Sequence, residues 1–184
     1  MRIDQYVGVL DACVLIPMPV ADTLLRLAEE PAFYTPRWSE DILREVRRTL
    51  SSKFGYSEEQ AARRLRTMNA AFPEAMVTGY ESLVVSMKNH PKDRHVLAAA
   101  VRCGAHAIVT NNQKHFPRES LEPFGLECVS ADKFLEDQYH LNPDLFISKL
   151  VEQALEIKWT LPQLIARHVP SLARLIKTAY PSAF

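Results

Sequence analysis

Three carboxylates in this chain, Asp11, Glu45 and Asp93, lie far apart in sequence. Asp11 closes the run Val7-Gly8-Val9-Leu10, whose length and composition suit a strand buried on both faces. An ionised Asp does not fit inside such a strand. It is expected at the C-terminal end, the edge where open α/β sheets bind ligands. Glu45 falls mid-helix, three positions from both Ile42 and Arg48, so it borders an apolar face and can turn inward. Asp93 follows Pro91 into the first turn of another helix. Taken singly, each acid also has an ordinary role: a strand-end cap, a solvated helix residue, a helix-start acid. Taken together they are costly. Two carboxylates about 4 Å apart repel by roughly 4 kcal/mol at an effective dielectric near 20. A convergent trio must therefore be partly protonated, paired with Lys or Arg, or neutralised by a cation. An all-oxygen site suits Mg²⁺, with Mn²⁺ as the natural substitute. Such an ion activates water and stabilises phosphoryl charge, as phosphodiester hydrolysis requires.

Strands and helices alternate around these acids, the pattern of a parallel sheet covered on both sides. After the first strand, Ala21 to Glu30 reads as a helix stopped by Pro31, and Ala32 to Thr35 as a short strand ended by Pro36. Ser39 is an N-cap, with Glu40 and Asp41 in the first turn, for a helix to about Leu50. Ser57-Glu58-Glu59-Gln60 fits a capping box opening a basic helix to about Ala71. Met76 to Val85 fits strand and helix equally. Lys92 to Cys103 is a helix with Gly104 at its C-terminus; Ala107 to Thr110 is a buried strand followed by the loop Asn111-Asn112. Leu126 to Val129 is a further strand, and Ser130 caps a helix to about Asp137. From Asn142 the texture becomes helical only, with starts at Asn142-Pro143, Pro162 and Ser171.

Composition narrows the field. Lys+Arg and Asp+Glu balance at 22 each, so any electrostatic preference must be local. The three cysteines, Cys13, Cys103 and Cys128, form no CxxC pair, which argues against a disulfide framework or zinc knuckle and fits a reducing cytoplasm. The N-terminal apolar run is too short, and too interrupted by Asp11, for a signal peptide or membrane span. The five glycines make neither GxGxxG nor GxxxxGK[ST], and GxSxG and HExxH are absent. Cys13 reads as a small residue beside a strand end rather than a nucleophile.

Four segments then carry a resemblance: LDACVL around Asp11, WSEDILREVRRTL around Glu45, PKDRHVLAAAV around Asp93, and IVTNNQKHFP after the next strand. In this order and spacing, over about residues 7 to 136, the chain resembles PIN-domain ribonucleases of the VapC toxin type, in a subgroup with a helical C-terminal extension. The resemblance implies a Rossmann-like α/β fold with a central parallel sheet flanked by helices. It implies a PIN domain over residues 1–137 and a helical extension over 138–184 that packs on the core or a partner. It also implies a Mg²⁺- or Mn²⁺-dependent endoribonuclease, commonly homodimeric, neutralised by a cognate antitoxin and acting on single-stranded segments of structured RNA such as tRNA. By motif position Asp11, Glu45 and Asp93 are the metal ligands. The family's fourth acid is replaced here by Asn112 and His115; Asn112 joins the catalytic set, with Thr110, Asn111 and His115 in support.

Between Arg44 and Arg66 the chain carries a local cationic excess. Arg47, Arg48, Lys53, Arg63, Arg64 and Arg66 are the candidate RNA-binding residues, and Phe54 and Tyr56 are candidates for stacking on unpaired bases. The alternative is a solvated helix face with the aromatics turned in. The rival to an enzyme is a PIN-like RNA- or protein-binding module weakened at the fourth position. The dense apolar content of the tail suggests assembly or antitoxin docking.

Overall fold

The computed structural model describes residues 6–166 and 169–181; positions 1–5, 167–168 and 182–184, including the ends of the expected tail, lie outside the described residues. Five strands form one parallel sheet in the order β3-β2-β1-β4-β5. They are β1 (Val7–Leu10), β2 (Thr35–Ser39), β3 (Met76–Val77), β4 (Ala107–Val109) and β5 (Glu127–Val129). The helices are α1 (Ala12–Leu15), α2 (Val20–Ala28), α3 (Glu40–Phe54), α4 (Glu58–Ala71), α5 (Arg94–Arg102), α6 (Arg118–Leu121), α7 (Ala131–Leu141), α8 (Pro143–Glu156), α9 (Leu161–Ile165) and α10 (Pro170–Ala179). The expected α/β architecture with a C-terminal helical extension is the one observed.

The central strands are apolar because both faces are covered: Val9, Leu10, Ile108 and Val109 have no exposed surface. Ser39 caps α3 by accepting the Ile42 N–H, and Ser57 and Gln60 close the capping box that starts α4. Gly55 ends α3 with φ of 70°, a left-handed conformation that glycine adopts without a Cβ penalty.

Several boundaries differ from expectation. The second strand is Thr35–Ser39 rather than Ala32 to Thr35, and it contains Pro36. Thr35 N–H bonds toward β1, at Tyr6 O, while Trp38 N–H bonds toward the β3 side, at Ala75 O. By two-residue parity the missing N–H of Pro36 faces the β3 side, before β3 has begun, so the ladder loses no bond there. Of the ambiguous stretch from Met76 to Val85, two residues are strand and Glu81–Ser86 is a 3₁₀ helix. Pro91–Asp93 is a separate 3₁₀ turn, and α5 proper starts at Arg94. Ser171 does not cap the last helix: Val169 holds that place, and the Ser171 and Leu172 N–H groups bond to the Asp132 carboxylate instead. α7 runs through Leu141, past the boundary expected near residue 137.

The extension packs on α2 and α7. In α8, the buried Gln153 accepts from Thr23 Oγ1 at 2.7 Å and donates to Pro19 O at 3.1 Å. Lys149 Nζ donates to Arg26 O and Glu29 O at the end of α2. α10 lies against α7. Among the described residues no helix is long and apolar enough to cross a membrane.

Candidate active site

The register of β1 and β4 sets the first part of the site. Leu10 pairs with Val109, so Asp11 and Thr110 emerge side by side at the C-terminal edge of the sheet. Asp11 caps α1 by accepting the Ala12 N–H on Oδ1 at 2.7 Å. Its Oδ2 accepts from Thr110 Oγ1 at 2.6 Å and from Cys13 Sγ at 3.1 Å. Thr110 is fully buried, and its hydroxyl oxygen also accepts the Asn112 N–H at 3.0 Å. One carboxylate is thus held by the helix after its own strand and by the strand beside it.

The Cys13 thiol is pushed up to about 12, first by burial and then by the Asp11 charge, against the hydrogen bonds from Thr110 and Asn111. It remains a thiol at neutral pH, in keeping with its reading as packing rather than nucleophile. Asn111 donates its N–H to Cys13 Sγ and accepts the Ala131 N–H on its side chain, which ties the loop to the start of α7.

A cavity of about 700 Å³ opens at this edge, lined by Asp41, Arg44, Glu45, Arg48, Lys92, Asp93, His95, Asn112 and His115. The structure therefore gathers Glu45, Asp93, Asn112 and His115 on one wall. Asp11, only 4 % exposed, is not on that wall, yet its charge acts on Glu45. The Glu45 carboxyl sits above its ordinary value because burial disfavours its charge. Asp11 and then Asp93 raise it further, while His95 and Arg48 oppose them.

Asp93 ends its 3₁₀ turn 9 % exposed, with Oδ2 2.6 Å from His115 Nδ1. Its backbone is clamped as well: its N–H donates to His90 O at 2.9 Å, and its carbonyl accepts from Asn89 Nδ2 at 3.0 Å. Among the described residues neither Asp11 nor Glu45 forms an ion pair with Lys or Arg, and Asp93 meets the His115 imidazole. A divalent cation beside Glu45 would relieve what burial and the charges of Asp11 and Asp93 impose on it, although among the described residues Asp11, Glu45 and Asp93 do not form a group with ligating atoms within 4.8 Å of one another.

The basic residues divide. Arg48 is exposed and lines the cavity. Arg47 pairs with Glu58 at 2.8 Å, and Arg66 with Glu59 at 2.7 Å. Arg64 is half-buried and donates to Leu15 O at 2.5 Å and Ile16 O at 3.2 Å, satisfying carbonyls at the end of α1. Arg63 and Lys53 are exposed; Arg63 borders a separate hollow with Tyr56 and Gln60. Lys92, His95 and Asp41 line the cavity without having been singled out from sequence. Lys92 and His95 flank Asp93 closely enough for the PKDRH segment to have flagged them.

Residues 8–114 match the model of the PIN domain family, and the chain belongs to that family. Over 126 residues, 63 % of this chain and 75 % of the relative, it is 36 % identical to "Putative ribonuclease VapC50" of Mycobacterium tuberculosis (strain ATCC 25618 / H37Rv). No solved structure matches the chain.

Proposed function

We propose that the chain is a divalent-metal-dependent endoribonuclease that cleaves RNA phosphodiester bonds, acting as the toxin of a toxin–antitoxin pair. One observation carries the reading. Glu45 and Asp93 line an open cavity, the charge of Asp11 acts on Glu45, and neither Asp11 nor Glu45 forms a salt bridge among the described residues, Arg48 and His95 reaching Glu45 only through their charge. Asp11, Glu45 and Asp93 would hold Mg²⁺ or Mn²⁺, which when bound supplies Lewis acidity toward water and a phosphoryl group.

The remaining work falls to the chain's own groups. Thr110 fixes Asp11 by donating to Oδ2, and His115 fixes Asp93 through a 2.6 Å contact. Asn112 offers an amide at the wall in place of a fourth acid; it orients a polar group of the substrate and adds no charge. Arg48 and Lys92, on the same wall, meet the phosphate backbone. The opening admits an unpaired strand, which is how sequence-bearing RNA is usually reached. The fit to an antitoxin rests on the relative's VapC name.

The test is cleavage of RNA by the full chain in Mn²⁺, with Asp11→Ala and Asp93→Asn prepared alongside and checked for folding. Cleavage by wild type alone supports the reading. Equal cleavage by all three, or none by wild type under any divalent ion, rejects it; RNA binding without cleavage would favour a binding module.

A further inference from the structure

His90, Asp93 and His115 each bring one ligating atom to within 4.8 Å of the others, the one such group among the described residues. Local geometry accounts for the cluster. His90 caps the 3₁₀ turn that Asp93 ends, and the Asp93 N–H closes that turn onto His90 O at 2.9 Å, which keeps the two residues adjacent. His115 is brought across by the backbone, since the His90 N–H donates to His115 O at 3.0 Å. The two imidazoles lie nearly parallel, with centroids 4.1 Å apart, beside the Asp93 carboxylate. The donor set is unlike that of Asp11 and Glu45. Two imidazoles and one carboxylate suit a borderline cation, whereas Mg²⁺ prefers oxygen alone.

We propose that His90, Asp93 and His115 form a second divalent-metal site that takes Zn²⁺ rather than Mg²⁺ and draws Asp93 away from the acidic centre. Zn²⁺ with three protein ligands keeps a fourth position for water. At His115 the ion takes the place of the proton shared between Nδ1 and Asp93 Oδ2. His90, which is exposed, turns to close the site. Coordination through its Nδ1 gives up only the long 3.3 Å bond from the Lys92 N–H, a surface donor that water can satisfy. Zn²⁺ in this site antagonises Mn²⁺ because both need Asp93; this last consequence rests on the nuclease reading.

The site itself is tested without cleavage. The metal-stripped full chain is titrated with Zn²⁺ by calorimetry, and with Co²⁺ while following visible absorption. Wild type is expected to bind one Zn²⁺ and to show Co²⁺ bands of nitrogen ligation that Zn²⁺ bleaches. His90→Ala should weaken Zn²⁺ binding at least about tenfold with an unchanged circular dichroism spectrum, while Asp11→Ala changes it less than about twofold. Equal Zn²⁺ affinity in wild type and His90→Ala, or no Zn²⁺ binding by wild type, overturns the proposal. So does a loss in Asp11→Ala matching that in His90→Ala, which would place the ion at the acidic centre. In an RNA assay Zn²⁺ should inhibit Mn²⁺-driven cleavage by wild type and spare His90→Ala. A chain that binds Zn²⁺ at His90 but never cleaves RNA would reject the nuclease reading and leave the site standing.

Discussion

The acids at the sheet edge and the arginines of α3 and α4 look alike in sequence, two groups of like charge beside apolar stripes. They fold in opposite ways. Glu45 and Asp93 line one cavity and the charge of Asp11 reaches Glu45, although among the described residues the three acids do not form a group with ligating oxygens within 4.8 Å of one another, and neither Asp11 nor Glu45 forms a salt bridge with Lys or Arg. The arginines come from two adjacent helices and disperse into local bonds: Arg47 to Glu58, Arg66 to Glu59, Arg64 to the carbonyls of α1. A charge cluster that the fold leaves unneutralised points to an outside partner; one that it pairs off points to the fold itself.

The sharpest way to break this contrast is Asp11→Ala or Asp93→Asn. If the acids await a cation, kcat/KM for Mn²⁺-dependent RNA cleavage should fall at least about 100-fold, the scale of the several kcal/mol a bound cation contributes. Next in size is Arg64→Ala. Removing a charged donor from two carbonyls should cost about 1–3 kcal/mol in urea denaturation and leave RNA affinity unchanged. A loss of affinity without a loss of stability would move Arg64 to the substrate side. Arg48→Ala should do the reverse. Stability stays, RNA binding weakens a few-fold, and the log–log salt slope shrinks by about 0.7 as one phosphate contact goes.

The smallest effect belongs to Glu45→Gln. Burial, aided by Asp11, raises the Glu45 carboxyl in the folded chain, so the folded state holds that proton to higher pH than the unfolded one. Stability from the neutral form is full below the unfolded value and is lost as pH rises through the raised folded value. The metal-free glutamine variant should therefore be slightly more stable than wild type at pH 7, with the difference vanishing once the pH falls below the ordinary carboxylate range. Added Mn²⁺ should reverse the order, because an ion that binds only the folded wild type stabilises it. Thermal melts in chelator and in Mn²⁺ measure both.

Much of this was legible in advance where one physical rule governs. The apolar run before Asp11, the Ser39 cap and the Ser57–Gln60 box are local signals, and each lies where it was expected. Pro36 misled because its cost depends on which neighbour its missing N–H faces, a property of sheet order rather than of the dipeptide. Ser171 misled because a carboxylate from α7, Asp132, satisfies the N–H groups that a cap would. Around the site, the sheet-edge acid could be inferred from burial alone. His90 could not, because its relevance depends on a tight turn and on a loop arriving from beyond β4. Arg64 reads from sequence as an RNA-binding candidate because nothing in α4 reveals that its neighbour is the unfinished end of α1.

The bonds from Gln153 and Lys149 into α2 have one more consequence. Gln153 satisfies a hydroxyl that is buried on Thr23, and Lys149 closes the carbonyls where α2 stops. A chain ending after α7 would leave the Thr23 hydroxyl its longer 3.3 Å bond to Pro19 O alone and would bare the side of α2 that α8 covers. Shortened versions would thus lose solubility and thermal tolerance before any question of partner choice arose, and the helices after α7 are best regarded as a brace for α2.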